Sequence, residues 1–207
     1  MKKTIIFDLD GTLVDIEPVF FRIFNTLAVE FHFPPILPEE IPKLKQSHLR
    51  NLLFKRLGWR IIFIAKILRR GKEEYHKLVP EVELFSGITE LLSTLHAHGY
   101  RIGIVSSSRE DTIRAITTRH ALAIDFIYHG KLFNKAESLR VTIDKEHLAI
   151  PETLYIGDEV RDVEACQKIG LDILAVTWGL NSKTALQATG AKTIDTRAAL
   201  LETILAS

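Results

Sequence analysis

Ile5-Ile6-Phe7-Asp8-Leu9-Asp10-Gly11-Thr12-Leu13-Val14-Asp15 is the stretch that decides the fold and the chemistry of this chain. An apolar, β-branched run stops at two acids separated by one residue, and a glycine follows. Alternate side chains of a strand share a face. Asp8 and Asp10 are therefore expected to point the same way where a strand ends. Two carboxylates held that close repel each other unless a cation or a shared proton relieves them. Folding gains nothing obvious from the pair, so its expected purpose is chemistry.

Outward from this stretch, short apolar runs recur at Thr4–Phe7, Ile102–Val105, Phe126–Tyr128, Thr153–Ile156 and Ile173–Val176. Helical patterns follow at Arg109–His120, Lys135–His147 and Val160–Ile169. Alternation of this kind predicts a parallel sheet with right-handed crossovers, an α/β Rossmann-like core. The unbroken apolar character of the runs suits strands buried on both faces.

The long gap between the first two runs carries a different pattern. Glu17–Phe31 reads as an amphipathic helix, with Asp15 as its expected N-cap and Pro18 in its first turn. A proline-rich break, Phe33 to Pro38, follows. Further helical patterns cover Glu39–Leu57 and Trp59–Arg70, the second expected to end near Gly71. Pro80 and Gly87 bracket the return to the sheet, and Ile88–Leu95 reads as its next helix. The expected organisation is a core domain of residues 1–16 and 83–207 with a small α-helical cap of residues 17–82 inserted above the paired acids.

Composition narrows the class. The 207 residues carry a net charge of +1, but the charge is unevenly placed. Between Lys43 and Lys77 stand eleven Lys or Arg against only Glu73 and Glu74. A solvated helical face and an electropositive lid over an anionic ligand both account for this. Met1-Lys2-Lys3 starts like a secretory leader, but Asp8 interrupts the apolar segment too early. The Ile61–Ala65 run is too short to span a bilayer. The single cysteine, Cys166, excludes an internal disulfide framework and fits a reducing cytoplasm; its neighbours mark it as a buried thiol.

In an open parallel sheet, ligands bind beyond the carboxyl ends of the strands. There the sequence sets Asp8 and Asp10, then Ser106-Ser107-Ser108, then Gly157-Asp158-Glu159-Val160-Arg161-Asp162, with Lys135 opening a helix. Carboxylates, hydroxyls and an amine suit a divalent metal plus a phosphoryl group. Hard Mg²⁺ favours oxygen ligands, while hydroxyl, N–H and ammonium groups take phosphate oxygens.

In this order, the segment Asp8 to Asp15, Ser106, Lys135 and the pair Gly157-Asp158 with Asp162 resemble the four motifs of the haloacid dehalogenase superfamily in its phosphatase form. Val176-Thr177-Trp178-Gly179 resembles the fifth-strand loop of its phosphoglycolate-phosphatase-like members. The resemblance implies Asp8 as nucleophile and Asp10 as acid and base. It implies Mg²⁺ as cofactor, held by Asp8, Asp10, Asp158 and Asp162, with Asp10 contributing its main-chain carbonyl and Asp162 acting directly or through water. Thr12, Ser106, Ser107 and Lys135 would hold the phosphoryl group. Lys131 competes with Lys135, because Ala136 stands where the family often has proline.

The expected function is hydrolysis of a small phosphorylated metabolite by a cytoplasmic monomer or dimer, with neither nucleic acid nor membrane as partner. Two alternatives remain: a sugar phosphomutase on the same core, and a phosphoacceptor module without turnover, whose acceptor Asp would lie on a later strand.

Overall fold

The computed structural model describes residues 2–46, 54–130 and 134–207. Six parallel strands form the central sheet: β1 (Thr4–Phe7), β4 (Arg101–Ser106), β5 (Phe126–His129), β6 (Thr153–Gly157), β7 (Asp172–Val176) and β8 (Lys192–Ile194). Their spatial order is β5-β4-β1-β6-β7-β8. The chain thus builds outward from β1 on one side, then returns and builds outward on the other. The sheet's switch point lies between β1 and β6, where Ile5 stands opposite Leu154 and Phe7 opposite Ile156. A crevice opens beyond the strand ends at such a point.

Helices cover both faces: α4 (Ile88–Ala97), α5 (Glu110–Arg119), α6 (Lys135–Lys145), α7 (Val160–Ile169), α8 (Lys183–Gln187) and α9 (Arg197–Leu205). Ile5, Ile6 and Phe7 are fully buried, as two-sided cover requires. Side chains of this kind each stabilise the fold by roughly 1.5–3 kcal/mol. Ile5 and Phe7 join the cluster that includes Leu92, Ile104 and Ile156, while Ile6 packs on the other face with Leu139 and Tyr155.

A helical insert leaves the core between two short antiparallel strands, β2 (Val14–Asp15) and β3 (Glu83–Leu84). It contains α1 (Glu17–Glu30), α2 (Ile41–Leu44), α3 (Ile64–Lys77) and connecting 3₁₀ turns. Phe24, Leu27, Phe33, Leu57 and Ile67 form its own buried cluster. The Asn25 amide ties the proline-rich segment back to α1, accepting from Ile36 N at 2.8 Å and donating to Ile36 O at 3.0 Å.

Several local expectations need correction. Asp15 lies in β2, and Ile16 is the N-cap of α1; the Asp15 carboxylate still accepts from Glu17 N at 3.2 Å. Residues 58–63 wind as a 3₁₀ turn rather than as the start of an α-helix. Gly71 does not end the following helix, which runs on to Lys77. A Cβ at Gly71 would lie 3.3 Å from Leu27 Cδ1, so glycine there lets α1 and α3 approach closely. The Glu39–Leu57 pattern begins as the turn Pro38–Glu40 and then α2. Its segment 47–53 lies outside the described residues, as does Lys131.

Candidate active site

The first site residues follow from how β1 ends. Asp8 N still bonds to Ile156 O at 2.8 Å, keeping Asp8 beside β6. The chain then coils, with Leu13 N and Val14 N both returning to Leu9 O, and Gly11 adopts φ +83°. This tight turn separates the two carboxylates. Asp8 faces the β6 side, whereas Asp10 faces the helical insert.

On the β6 side, carboxylate oxygens of Asp8, Asp158 and Asp162 all lie within 4.8 Å of one another, and all three residues are buried. Asp158 follows β6 directly. Its Oδ1 accepts from the Thr12 hydroxyl at 2.7 Å, and its Oδ2 accepts from Leu180 N at 2.7 Å. Gly11 and Gly179 leave room for this group, because a Cβ on either would collide with the Asp158 carboxylate. Asp162 sits in the first turn of α7, where its Oδ2 accepts from Glu159 N at 3.2 Å and completes a capping box. The expected metal ligand is thus also a helix cap.

Lys135, at the start of α6, places its ammonium 3.1 Å from Asp8 Oδ1 and 3.2 Å from Asp162 Oδ1, with 4 % of its side chain exposed. Burial alone would lower its proton affinity, but Asp162 and Asp8 outweigh that and raise it. Arg161 pairs with Glu159 at 2.5 Å, leaving three acids facing one lysine. Burial raises the Asp8 carboxyl to about 7; the Lys135 charge works against this and Asp162 adds to it. Burial likewise raises Asp158 well above the usual carboxylate range, with Glu159, Asp162 and Asp8 adding to the effect.

This surplus of negative charge fits a divalent cation. Asp8 Oδ2 has no hydrogen-bond partner among the described residues despite its burial, and such an atom is costly unless a ligand satisfies it. The Asp158 oxygens each keep a second lone pair for a metal. An all-oxygen, carboxylate donor set suits Mg²⁺.

On the insert side, Asp10 Oδ1 accepts from the Tyr75 hydroxyl of α3, and Oδ2 accepts from Ser108 Oγ at 2.6 Å. Ser106 Oγ lies 3.5 Å from Asp10 Oδ2 and also accepts from Ser108 N at 3.1 Å, so its geometry combines the expected phosphate donor with a local cap. Ser107 is buried and lines the adjoining cavity with Asp10. Burial, together with the charge of Asp10, keeps the Tyr75 phenol protonated well beyond its ordinary range. Tyr75 and Ser108 are the functional neighbours that the sequence did not single out. Ser108 was visible as the third member of a serine run. Tyr75 stands 65 positions from Asp10 and lies beyond Gly71, where the helical pattern was expected to end, so no local signal marked it.

The basic segment divides on folding. Lys45 pairs with Glu17, and Arg70 with Glu30 and Glu74. Lys72 lines the cavity beside Asp10. Cys166 is buried and free, and burial pushes its thiol up, in keeping with an inert core residue.

Residues 5–176 match the family model described as haloacid dehalogenase-like hydrolase. The chain belongs to that family. It is 34% identical over 189 residues to a phosphoglycolate phosphatase of Synechococcus elongatus, covering 90% of this chain and 89% of the relative. It is 24% identical to the pyrophosphatase PpaX of Bacillus mycoides, over 90% of this chain and 88% of the relative. A haloacid dehalogenase-like hydrolase structure from Streptococcus pneumoniae superposes with a TM-score of 0.83 at 23% identity, covering 98% of each chain. The expected fold class and the phosphatase class of enzyme both stand with these relatives. No helix among the described residues is long and apolar enough to cross a membrane.

Proposed function

We propose that this chain is a Mg²⁺-dependent phosphomonoester hydrolase that works through an aspartyl-phosphate on Asp8. The observation that carries the proposal is the unpartnered, buried Asp8 Oδ2, set among Asp158, Asp162 and Lys135. Asp8, Asp158 and Asp162 would hold the cation, with the Asp10 main-chain carbonyl as a further ligand. When bound, the cation supplies neutralisation of phosphoryl charge.

An Asp8 carboxylate oxygen attacks phosphorus, forming one P–O bond as the bond to the leaving oxygen breaks. Charge repulsion hinders attack of a carboxylate on a phosphate dianion. Lys135 offsets it from its position beside Asp8. Asp10 gives its proton to the leaving oxygen. Water then attacks phosphorus, Asp10 takes the water proton, and the bond to Asp8 breaks to release phosphate. Tyr75 and Ser108 hold the Asp10 carboxylate in place for both transfers. Ser106 and Ser107 supply hydroxyl donors around the phosphoryl group, while the Thr12 hydroxyl, expected there, donates to Asp158 Oδ1 and positions that carboxylate.

Residues 17–82 act as a cap over the core of residues 1–16 and 83–207. The substrate is a small phosphorylated metabolite, as the relatives' names support, and the cytoplasm is the proposed compartment of a monomer or dimer. Phosphate release from an aryl phosphate, measured with and without Mg²⁺, tests the proposal. Release should require the cation and vanish in Asp8→Asn. Turnover by that variant at the wild-type rate would refute the nucleophile, and isomerisation of a sugar phosphate without net release would indicate a mutase instead.

A further inference from the structure

A cavity of about 190 Å³ opens from the catalytic residues into the insert. Its polar lining lies mainly on the core side, at Asp10, Ser107, Ser108, Glu159 and Arg161. The opposite wall is hydrocarbon: Phe20, Ile23, Phe24 and Leu27 from α1, and Ile67 and Leu68 from α3. Phe33 extends this wall, its ring 5.2 Å from that of Phe24. Lys72 is the one cation that the insert contributes to the lining among the described residues, on the same α3 face as Tyr75, which holds Asp10.

We infer that the leaving group of the natural substrate is an apolar body of about six carbons, an aryl or branched alkyl alcohol, seated against this aromatic and aliphatic wall. The inference rests on the hydrolase reading and extends it to the substrate class. Asp10 lines the cavity, so the alcohol oxygen that it protonates stands where the cavity begins. Whatever that oxygen carries must occupy the remaining space. An apolar cavity of about 150 Å³ accepts a benzene ring, so this one holds a ring with modest substituents. A carboxylated two-carbon group fills little of the volume. It would also bring a charge to a wall of hydrocarbon, which is costly without a partner. Among the described residues, Lys72 is the insert's one cation in the lining, and Arg161 on the core side is paired with Glu159.

The test uses the whole protein with Mg²⁺ and a series of n-alkyl phosphates from ethyl to hexyl, alongside 2-phosphoglycolate. The acidity of the leaving alcohol is nearly constant along such a series, so its slope reports burial. We expect kcat/KM to rise about three- to fourfold per methylene, roughly a hundredfold from ethyl to hexyl. Hexyl phosphate should exceed 2-phosphoglycolate. Leu68→Lys should flatten the series, lowering kcat/KM for hexyl phosphate more than for ethyl phosphate, and Leu68→Gln provides the same comparison if the lysine variant does not fold. A flat or falling series, or 2-phosphoglycolate turned over faster than hexyl phosphate, overturns the inference and leaves the hydrolase intact. Failure to release phosphate from any ester overturns the hydrolase reading and this inference with it.

Discussion

Replacing Asp8 by Asn should abolish turnover and yet stabilise the metal-free protein above pH 7. Burial, only partly offset by Lys135, raises the Asp8 carboxyl from its ordinary 3.8 to about 7. Each tenfold change in proton affinity is worth about 1.4 kcal/mol, so ionising this group within the fold costs at most about 4 kcal/mol. Asn resembles the neutral acid in shape and avoids that cost. The sign follows from proton binding. Between pH 4 and 7 the folded state holds a proton that the unfolded state has released, so wild-type stability falls as pH rises through that window. Below pH 4 both states are protonated and the variant has no advantage; above pH 7 its advantage is complete. For a chain of this size, a few kcal/mol moves Tm by about 10 °C. The assay is thermal denaturation followed by circular dichroism in EDTA, with both proteins measured from pH 4 to pH 8. Other titrating groups largely cancel in the difference between them. A gap that stays constant with pH, or an Asn variant that melts below wild type at pH 8, would refute the reasoning. Adding Mg²⁺ should narrow the gap, because a cation stabilises only the protein that retains its ligand.

Gly179→Ala should lower activity by at least tenfold, because the new methyl group would displace the Asp158 carboxylate; steady-state kinetics over a range of Mg²⁺ concentrations should show that more cation is needed for half-maximal rate. Tyr75→Phe should reduce kcat about tenfold, the scale of one hydrogen bond to a charged group, with little change in Tm because the ring remains in the core. Rates and melting curves of the same preparation separate those effects. Gly71→Leu should lower Tm by about 2–12 °C, since its Cβ begins 3.3 Å from Leu27 Cδ1 and overpacking costs about 1–3 kcal/mol.

The sheet was legible because its strands carry strong local signals. Thr4–Phe7 and Val160–Ile169 have the expected limits, and β4 differs from its expected range by one residue at each end. The short strands β2, β3 and β8 were not, since two or three residues are too few for a periodicity to emerge. Within the site, Asp8, Asp158, Asp162 and Lys135 could be read because each follows a strand or opens a helix, and topology brings those ends together. The partners of Asp10 could not. Whether Tyr75 meets Asp10 depends on how α3 packs over the core, which helical periodicity does not encode. Gly71 misled for a related reason: a glycine that punctuates an isolated helix can instead let two helices touch.

The placement of β1 between β4 and β6 bears on how the molecule comes into being. Its partner β6 begins at Thr153, so the ribosome adds about 145 residues after Phe7 before that neighbour exists. Contacts between such distant parts of a chain are slow to form. Until then, the edge of β1 that β6 will cover is open and apolar, and Asp8 lacks Asp158 and Asp162. Catalytic competence therefore arrives late in synthesis, and a nascent chain halted before Thr153 should be both inactive and prone to aggregate.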